Sequence, residues 1–143
     1  MKATLIAENR LYKTGGGAIA NQSYDKESGT DKGLAIDADM VIGKEDGSSV
    51  NTFSSNTSKT NGGAIMNRAE KTDGNATLTI NGTTTFENNH ADINGGAIYN
   101  LARDGKTAEF NMTNGTYAFT GNNADGNGGA IYNEGTLFFD VIE

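Results

Sequence analysis

The sequence predicts an all-β fold, a right-handed parallel β-helix (a solenoid) with about four rungs and three short strands per rung. Two repeated sequence motifs, called the repeat words below, support this prediction. Gly-Gly-Ala-Ile occurs four times, and Phe-x-x-Asn precedes the last three copies. In those three copies both words recur every 33 residues. A fixed period of this length is typical of solenoids, in which each repeat buries its apolar side only by stacking on its neighbours.

The repeated residues are expected to build the inside and the corners of the coil. The Phe-x-x-Asn words contain Phe53, Asn56, Phe86, Asn89, Phe119 and Asn122. The Gly-Gly-Ala-Ile words that follow them contain Gly62, Gly63, Ile65, Gly95, Gly96, Ile98, Gly128, Gly129 and Ile131. Stacked rungs place equivalent residues above one another, so the phenylalanines and isoleucines are predicted to form internal stacks. The glycine pairs indicate either a positive φ or a close approach between backbones.

Two sets of asparagines are predicted to form side-chain amide ladders at the corners. One set belongs to the Phe-x-x-Asn words, and the other comprises Asn21, Asn67, Asn100 and Asn133. Such amides would satisfy backbone groups that the turns leave free.

The third copy shows the strands within one repeat. Leu78, Thr79 and Ile80 alternate apolar and polar residues, as half-buried strands do. Residues 81–82, an Asn-Gly turn, lead to a second strand over 83–86. A polar turn precedes the third strand, which covers 95–100. The connections are too short for crossover helices, so the strands stack directly into parallel sheets.

Two further internal stacks and an irregular first rung complete the predicted domain. The stacks are Leu34/Leu78/Phe110/Leu137 and Ile36/Ile80/Met112/Phe139. The first two isoleucines of the repeat are 46 residues apart instead of 33, and the 13 extra residues are assigned to 37–49. The slot equivalent to the first phenylalanine holds Ala7. We expect one β-helix domain over 1–143, with an irregular rung over 1–50 and regular rungs over 51–143.

Composition excludes several classes of partner. Only 35% of the residues are hydrophobic, which suits the narrow core of a solenoid better than a layered domain. The net charge is −7 and no basic run occurs, so nucleic acid is not an expected partner. No apolar stretch approaches the roughly 20 residues that span a bilayer, and the N-terminal residues do not form a signal peptide. The segment itself is therefore not expected to insert into a membrane.

The paired words resemble the polymorphic outer membrane protein repeats of chlamydiae, and similar repeats of bacterial autotransporter-like adhesins. The resemblance covers about residues 7–133. It implies a β-helical passenger segment, exported to the bacterial cell surface, outer membrane-associated or secreted. It also implies cell adhesion, self-association and a part in virulence. The irregular first rung fits either a capping rung or a fragment boundary, and residues 138–143, which stop within a predicted strand, favour a fragment of a longer passenger.

The sequence offers few groups for catalysis or for metal binding, and we expect no enzyme, catalytic residue, metal site or cofactor. Asp92 and Asp125 occupy equivalent turns, whereas the preceding repeat has Lys59 there. The nonapeptide repeat of calcium-binding β-rolls is absent, and His90 is the only histidine, expected in a polar loop. Asp37 and Asp39 alternate along a predicted strand and would face the same side.

The predicted binding residues are Tyr99 and Tyr132, which follow the repeated isoleucines. If the isoleucines point inward, the tyrosines point outward and form an exposed aromatic pair suited to a glycan or a protein. The alternative is that neighbouring loops, especially 101–108, cover them. The expected partner is a host-cell surface protein or glycan, or a second copy of the chain.

Three functions are consistent with these observations. The first is a structural and adhesive segment of a surface or secreted protein. The second is a carbohydrate-active enzyme such as a polysaccharide lyase or hydrolase, which the missing cluster of acidic and basic residues disfavours. The third is a self-assembling scaffold unit that polymerises through the ends of the rod, since uncapped ends would expose strand edges.

Overall fold

The computed structural model of the chain contains only β-strands as regular secondary structure within its described residues. The structure describes residues 4–7, 10–11, 15–25, 35–69 and 74–141, with side chains described over 15–23, 37–69 and 74–140. In chain order the strands are β1 (Thr4–Ala7), β2 (Arg10–Leu11), β3 (Ile19–Gln22), β4 (Tyr24–Asp25), β5 (Ala35–Ile36), β6 (Ala38–Ile42), β7 (Val50–Ser54), β8 (Thr57–Ser58), β9 (Ile65–Ala69), β10 (Ala76–Asn81), β11 (Thr83–Glu87), β12 (His90–Ala91), β13 (Ile98–Ala102), β14 (Ala108–Gly115), β15 (Tyr117–Thr120), β16 (Asn123–Ala124), β17 (Ile131–Glu134) and β18 (Thr136–Val141). No helix that could cross a membrane occurs in these described segments.

Sixteen of the strands form four parallel sheets, and each sheet takes one strand from each of four rungs. Sheet 1 is β1-β7-β11-β15, sheet 2 is β6-β10-β14-β18, sheet 3 is β2-β8-β12-β16 and sheet 4 is β3-β9-β13-β17. Rung 1 comprises β1, β2, β3 and β6, rung 2 comprises β7–β10, rung 3 comprises β11–β14 and rung 4 comprises β15–β18. The predicted parallel β-helix of about four rungs is confirmed.

Each rung has four strands, so the prediction of three was wrong. The missed strand is the two-residue strand of sheet 3, which in rung 3 is His90–Ala91 and lies within the predicted polar turn. The backbone N–H of His90 donates to the Asn56 carbonyl at 2.9 Å, and that of Asn123 donates to the Asn89 carbonyl at 2.9 Å. Because these hydrogen bonds join backbone groups, the strand forms even though its side chains are mostly polar.

The 13 extra residues of the first rung are split between two places. Ile19 and Ala38 are 19 residues apart, whereas their partners in rung 2, Ile65 and Ala76, are 11 apart. Eight extra residues therefore precede β6, where β4 and β5 form an antiparallel pair. The other five lie between β6 and β7, because Ala38 to Val50 is 12 residues and Ala76 to Thr83 is 7. Assigning the whole insertion to 37–49 was wrong.

The insertion also changes which residues of rung 1 enter the core. Leu78 pairs with Met40 and Ile80 pairs with Ile42, so the predicted partners Leu34 and Ile36 were wrong. Leu34 lies outside the described residues, and Ile36 belongs to the antiparallel pair. The other predicted members hold, since Phe110 pairs with Leu137 and Met112 pairs with Phe139. Ala7 pairs with Phe53 as predicted.

The phenylalanine and isoleucine stacks are the main core of the coil. The ring centroids of Phe53 and Phe86 lie 4.9 Å apart, and those of Phe86 and Phe119 lie 4.8 Å apart, with nearly parallel planes. Phe53 and Phe86 are fully buried. Ile65 and Ile98 are in register and also fully buried, so both predicted internal stacks are confirmed.

The two predicted amide ladders are present at two corners. In the first, Asn56 Nδ2 donates to Asn89 Oδ1 at 2.9 Å, and Asn89 Nδ2 donates to Asn122 Oδ1 at 2.8 Å. The second ladder has bonds of 2.7–2.8 Å and runs through Asn21, Asn67, Asn100 and Asn133. Its amides also donate to sheet 2, as in the 2.9 Å bond from Asn100 Nδ2 to the Thr136 carbonyl. The second ladder therefore ties sheet 4 to sheet 2.

The two glycines of each pair have different roles. The sequence left open whether the pairs need a positive φ or a close approach between backbones, and both occur. The first glycine (Gly16, Gly62, Gly95 or Gly128) has a φ between 66° and 68°, where residues with a Cβ are strained. A Cβ on the second glycine of rungs 1 to 3 would lie 1.9–2.0 Å from the carbonyl oxygen of the equivalent glycine in the next rung. The first position needs positive φ and the second needs close approach.

Candidate contact surface

The predicted tyrosine pair lies on the outer side of sheet 4. Tyr99 and Tyr132 are directly paired, and their ring centroids lie 5.3 Å apart with an angle of 11° between the planes. The predicted stacking is therefore confirmed. The predicted exposure was wrong for Tyr99, which is only 5% exposed, whereas Tyr132 is partly buried.

Tyr99 is buried because the outward side chains of sheet 4 form a second apolar cluster. Met66, Tyr99 and Leu101 are its buried members, and Tyr132 packs against them. The sequence predicts a loop at Leu101, but β13 continues to Ala102, so Leu101 follows Tyr99 on the same face of the strand. Burial raises the pKa of Tyr99.

The exposed part of this surface is polar. The Tyr132 hydroxyl donates to Glu134 Oε1, and Arg103 Nη2 donates to Glu134 Oε2 at 3.2 Å. These two hydrogen bonds lower the pKa of Glu134, and the bond to Glu134 raises the pKa of Tyr132. A partner at this point would meet one partly buried tyrosine beside the ion pair of Arg103 and Glu134.

A second group of polar side chains lies at the corner near sheet 3. Lys59 Nζ lies 3.0 Å from Asp92 Oδ2, while His90 Nε2 lies 3.3 Å from Asp92 Oδ1 and 3.8 Å from Asp125 Oδ1. His90 belongs to β12 and not to the predicted loop. The hydrogen bond from Lys59 is the largest cause of the lowered pKa of Asp92.

The electrostatics of this corner do not suit a general acid catalyst. A general acid in glycoside hydrolysis needs a raised carboxyl pKa, whereas the pKa of Asp92 is lowered. The ligand atoms of His90, Asp92 and Asp125 lie within 4.8 Å of one another and could converge on a metal ion. Lys59 would compete with that ion for Asp92.

The other candidate carboxylates do not act as a pair. Asp37 precedes β6 and accepts a 2.6 Å hydrogen bond from the backbone N–H of Asn75, so its carboxylate holds a turn. Asp39 lies within β6 and is exposed. The predicted strand over both residues was wrong, because it begins at Ala38.

Sequence reasoning missed a groove on the outer face of sheet 2, which includes Phe138. The signal was available in residues 136–139. Leu137 and Phe139 were predicted to point inward, and strand alternation then directs Phe138 outward. Phe138 is 53% exposed.

The comparison with known families gives one match. The family model described as Chlamydia polymorphic membrane protein (Chlamydia_PMP) repeat matches residues 52–68, 83–101 and 117–134. No curated protein and no solved structure matches the chain. Each matched stretch begins in a sheet 1 strand and ends in the sheet 4 strand of the same rung. The matches thus fall on rungs 2, 3 and 4, and each of these rungs contains one stretch that is similar to the Chlamydia polymorphic membrane protein repeat.

Proposed function

We propose that this chain is a non-catalytic, adhesive β-helical segment of a bacterial cell-surface or secreted passenger protein. Its coil holds outer faces in a fixed arrangement, and these faces contact a host cell or another surface. The observation that supports the proposal is that three successive rungs each match the Chlamydia polymorphic membrane protein repeat. The segment would be located at the cell surface, associated with the outer membrane or secreted.

The distribution of residues agrees with this role. The repeated phenylalanines, isoleucines, asparagines and glycines build the inside and the corners, where they fix the stacking of rungs. The outer side chains differ between rungs, as Ala20, Met66 and Tyr99 do at one position of sheet 4. A shared frame with variable outer residues suits contact better than catalysis.

The proposal is tested by binding to epithelial cells. The labelled 143-residue polypeptide should bind saturably, and an excess of unlabelled polypeptide should displace it. The heat-unfolded polypeptide is the control, because it has the same composition and charge without the outer faces. Binding that does not saturate, or that the unfolded chain reproduces, would contradict an adhesive role.

Self-association is a second candidate, supported by the open side of rung 4. Tyr117, Phe119, Ile131 and Phe139 line a cavity of about 460 Å³ there, and Phe139 is 44% exposed. These side chains occupy the positions that pack between rungs elsewhere in the coil, so rung 1 of a second copy is the proposed occupant. Sedimentation of the polypeptide over a range of concentrations tests this candidate, and a Phe139→Ser variant should shift the distribution towards monomer.

A further inference from the structure

The outer face of sheet 2 carries a groove of about 480 Å³ that the repeat words do not explain. Its lining comes from three neighbouring rungs and consists of Thr79, Glu109, Asn111, Thr113, Thr136 and Phe138. This volume lies in the range of small-molecule binding pockets, about 300–1,000 Å³.

The strand register explains why these residues meet. Along β10, β14 and β18 the inward positions hold Leu78, Phe110 and Leu137, which belong to the core or pack against it. Their neighbours therefore face outward. Thr79, Asn111 and Phe138 are consecutive partners in one row, about 4.8 Å apart from strand to strand. Thr77, Glu109 and Thr136 form the adjacent row.

The polar groups of the groove are held in place but retain bonding capacity. Asn111 Nδ2 donates to Glu109 Oε1 at 2.7 Å, which orients the carboxylate, and Thr113 Oγ1 donates to Asn81 Oδ1 at 2.7 Å. Thr79 and Thr136 add two further hydroxyl groups to the lining. A ligand would thus meet hydroxyls, an amide oxygen and a carboxylate oxygen beside the exposed ring of Phe138.

The charge of the groove narrows the class of ligand. Among its lining residues Glu109 carries a negative charge, and no lysine or arginine is present. Asp39 extends the row of Glu109 on β6. Sulfated or sialylated glycans would be repelled, because no cation offsets their charge in the groove. A neutral sugar carries hydroxyls that donate to carboxylate and amide oxygens, and an apolar face of C–H groups that can cover an aromatic ring.

We propose that this groove binds a neutral oligosaccharide. One sugar ring packs on Phe138, and its hydroxyl groups bond to Glu109 and Asn111, while the threonine hydroxyls bond to the adjoining unit. The inference deepens the proposed function and rests on it, because it assigns the contact with a surface to one sheet and to one ligand class. Sheet 2 then binds the ligand in place of the tyrosine pair.

The first test is a glycan array that contains neutral, sialylated and sulfated oligosaccharides, followed by calorimetric titration with the neutral glycan that binds best. We expect binding to neutral glycans and a loss of at least about tenfold in affinity for Phe138→Ser, as for an aromatic residue at the centre of a contact. Glu109→Gln should weaken binding by removing the charge-assisted hydrogen bond. Ile93→Ser is the matched control, because Ile93 is a 45% exposed apolar residue outside the groove.

Three results would overturn the inference: no binding to any neutral glycan, binding confined to sulfated or sialylated glycans, or equal affinities for Phe138→Ser and the parent chain. Thermal unfolding of each variant shows that the fold is retained. Cell binding is measured in parallel. If the parent chain binds cells saturably but no neutral glycan, the adhesive role stands and the groove has been wrongly assigned. If saturable cell binding is absent and a neutral glycan still binds, the adhesive role fails instead.

Discussion

Rungs 3 and 4 contain the same two words at the same spacing, yet their residues have different surroundings. Phe86, Ile98 and Phe110 of rung 3 are fully buried. Their partners in rung 4, Phe119, Ile131 and Leu137, are only partly buried. Since the words and the register are shared, the difference comes from stacking, because rung 3 lies between two rungs and rung 4 has a neighbour on one side among the described strands. The repeat words determine the backbone path of a rung, whereas the burial of its side chains depends on the rungs that stack against it.

The asparagines and glycines show the same contrast. Asn100 of rung 3 donates to Asn133 and to the carbonyls of Ala108 and Thr136, whereas the Asn133 amide donates to Gly135 within its own turn. In rung 3, a Cβ on Gly96 would lie 2.0 Å from the carbonyl oxygen of Gly129. On Gly129 itself, the nearest atom would be 3.8 Å away. The same residue type is thus required in one rung and replaceable in the next.

The largest expected effect is that of Phe86→Ala. The substitution removes the middle ring of the stack and leaves a cavity that rungs on both sides prevent from collapsing, so the free energy of unfolding should fall by about 3–5 kcal/mol. Phe119→Ala is the matched control and should cost no more than about 2 kcal/mol, because that ring is already partly exposed. Urea denaturation of both variants measures the difference. Equal losses would show that stacking does not determine burial.

The glycine pair gives the next largest effect. Gly96→Ala introduces a methyl group against the backbone of rung 4, and we expect a loss of about 1–3 kcal/mol, as for overpacking. Gly129→Ala should change stability by no more than about 0.5 kcal/mol, since Gly129 lies outside the left-handed region and the nearest atom to its Cβ would be at an ordinary contact distance of 3.8 Å. Thermal unfolding of the two variants under the same conditions is the measurement. A destabilised Gly129→Ala would contradict the assignment of this glycine to close approach.

Much of the fold could be predicted because the repeat itself carries the register. A spacing of 33 residues places phenylalanine on phenylalanine and asparagine on asparagine, and the structure has both stacks. The prediction failed where the period is interrupted. In rung 1 both Leu34-x-Ile36 and Met40-x-Ile42 fit an apolar alternation, and only the pairing with β10 distinguishes them. The sheet 3 strands have no apolar signature, because backbone hydrogen bonds alone define them.

The candidate surfaces were harder to predict, because exposure depends on neighbours in three dimensions. Strand alternation correctly placed Tyr99 and Tyr132 outside the coil, but alternation does not reveal that Leu101 and Met66 pack around Tyr99. The groove of sheet 2 was missed for the opposite reason. Its lining comes from three rungs at positions where the residue types differ, so a search for repeated words passes over it.

The smallest effect concerns Tyr117, which attaches rung 4 to rungs 2 and 3. Its hydroxyl lies 2.6 Å from the Ile80 carbonyl oxygen and 2.8 Å from the Thr113 carbonyl oxygen, which share its single proton, and burial raises its pKa to about 12. Tyr117→Phe removes this hydrogen bonding and should lower the free energy of unfolding by about 0.5–1.5 kcal/mol at neutral pH.

The contribution of Tyr117 should also depend on pH. Because the folded pKa exceeds the unfolded value, near 10, the stabilisation is complete below pH 10 and is lost as the pH rises through about 12. The stability difference between the parent chain and the variant should therefore narrow over this range, while the other tyrosines titrate equally in both proteins. Urea denaturation at neutral pH and at steps from pH 10 to about 12 measures it. If the difference in unfolding free energy between the two proteins stays constant over this pH range, ionisation of the Tyr117 hydroxyl does not affect stability. The hydroxyl would then not stabilise the attachment between the rungs.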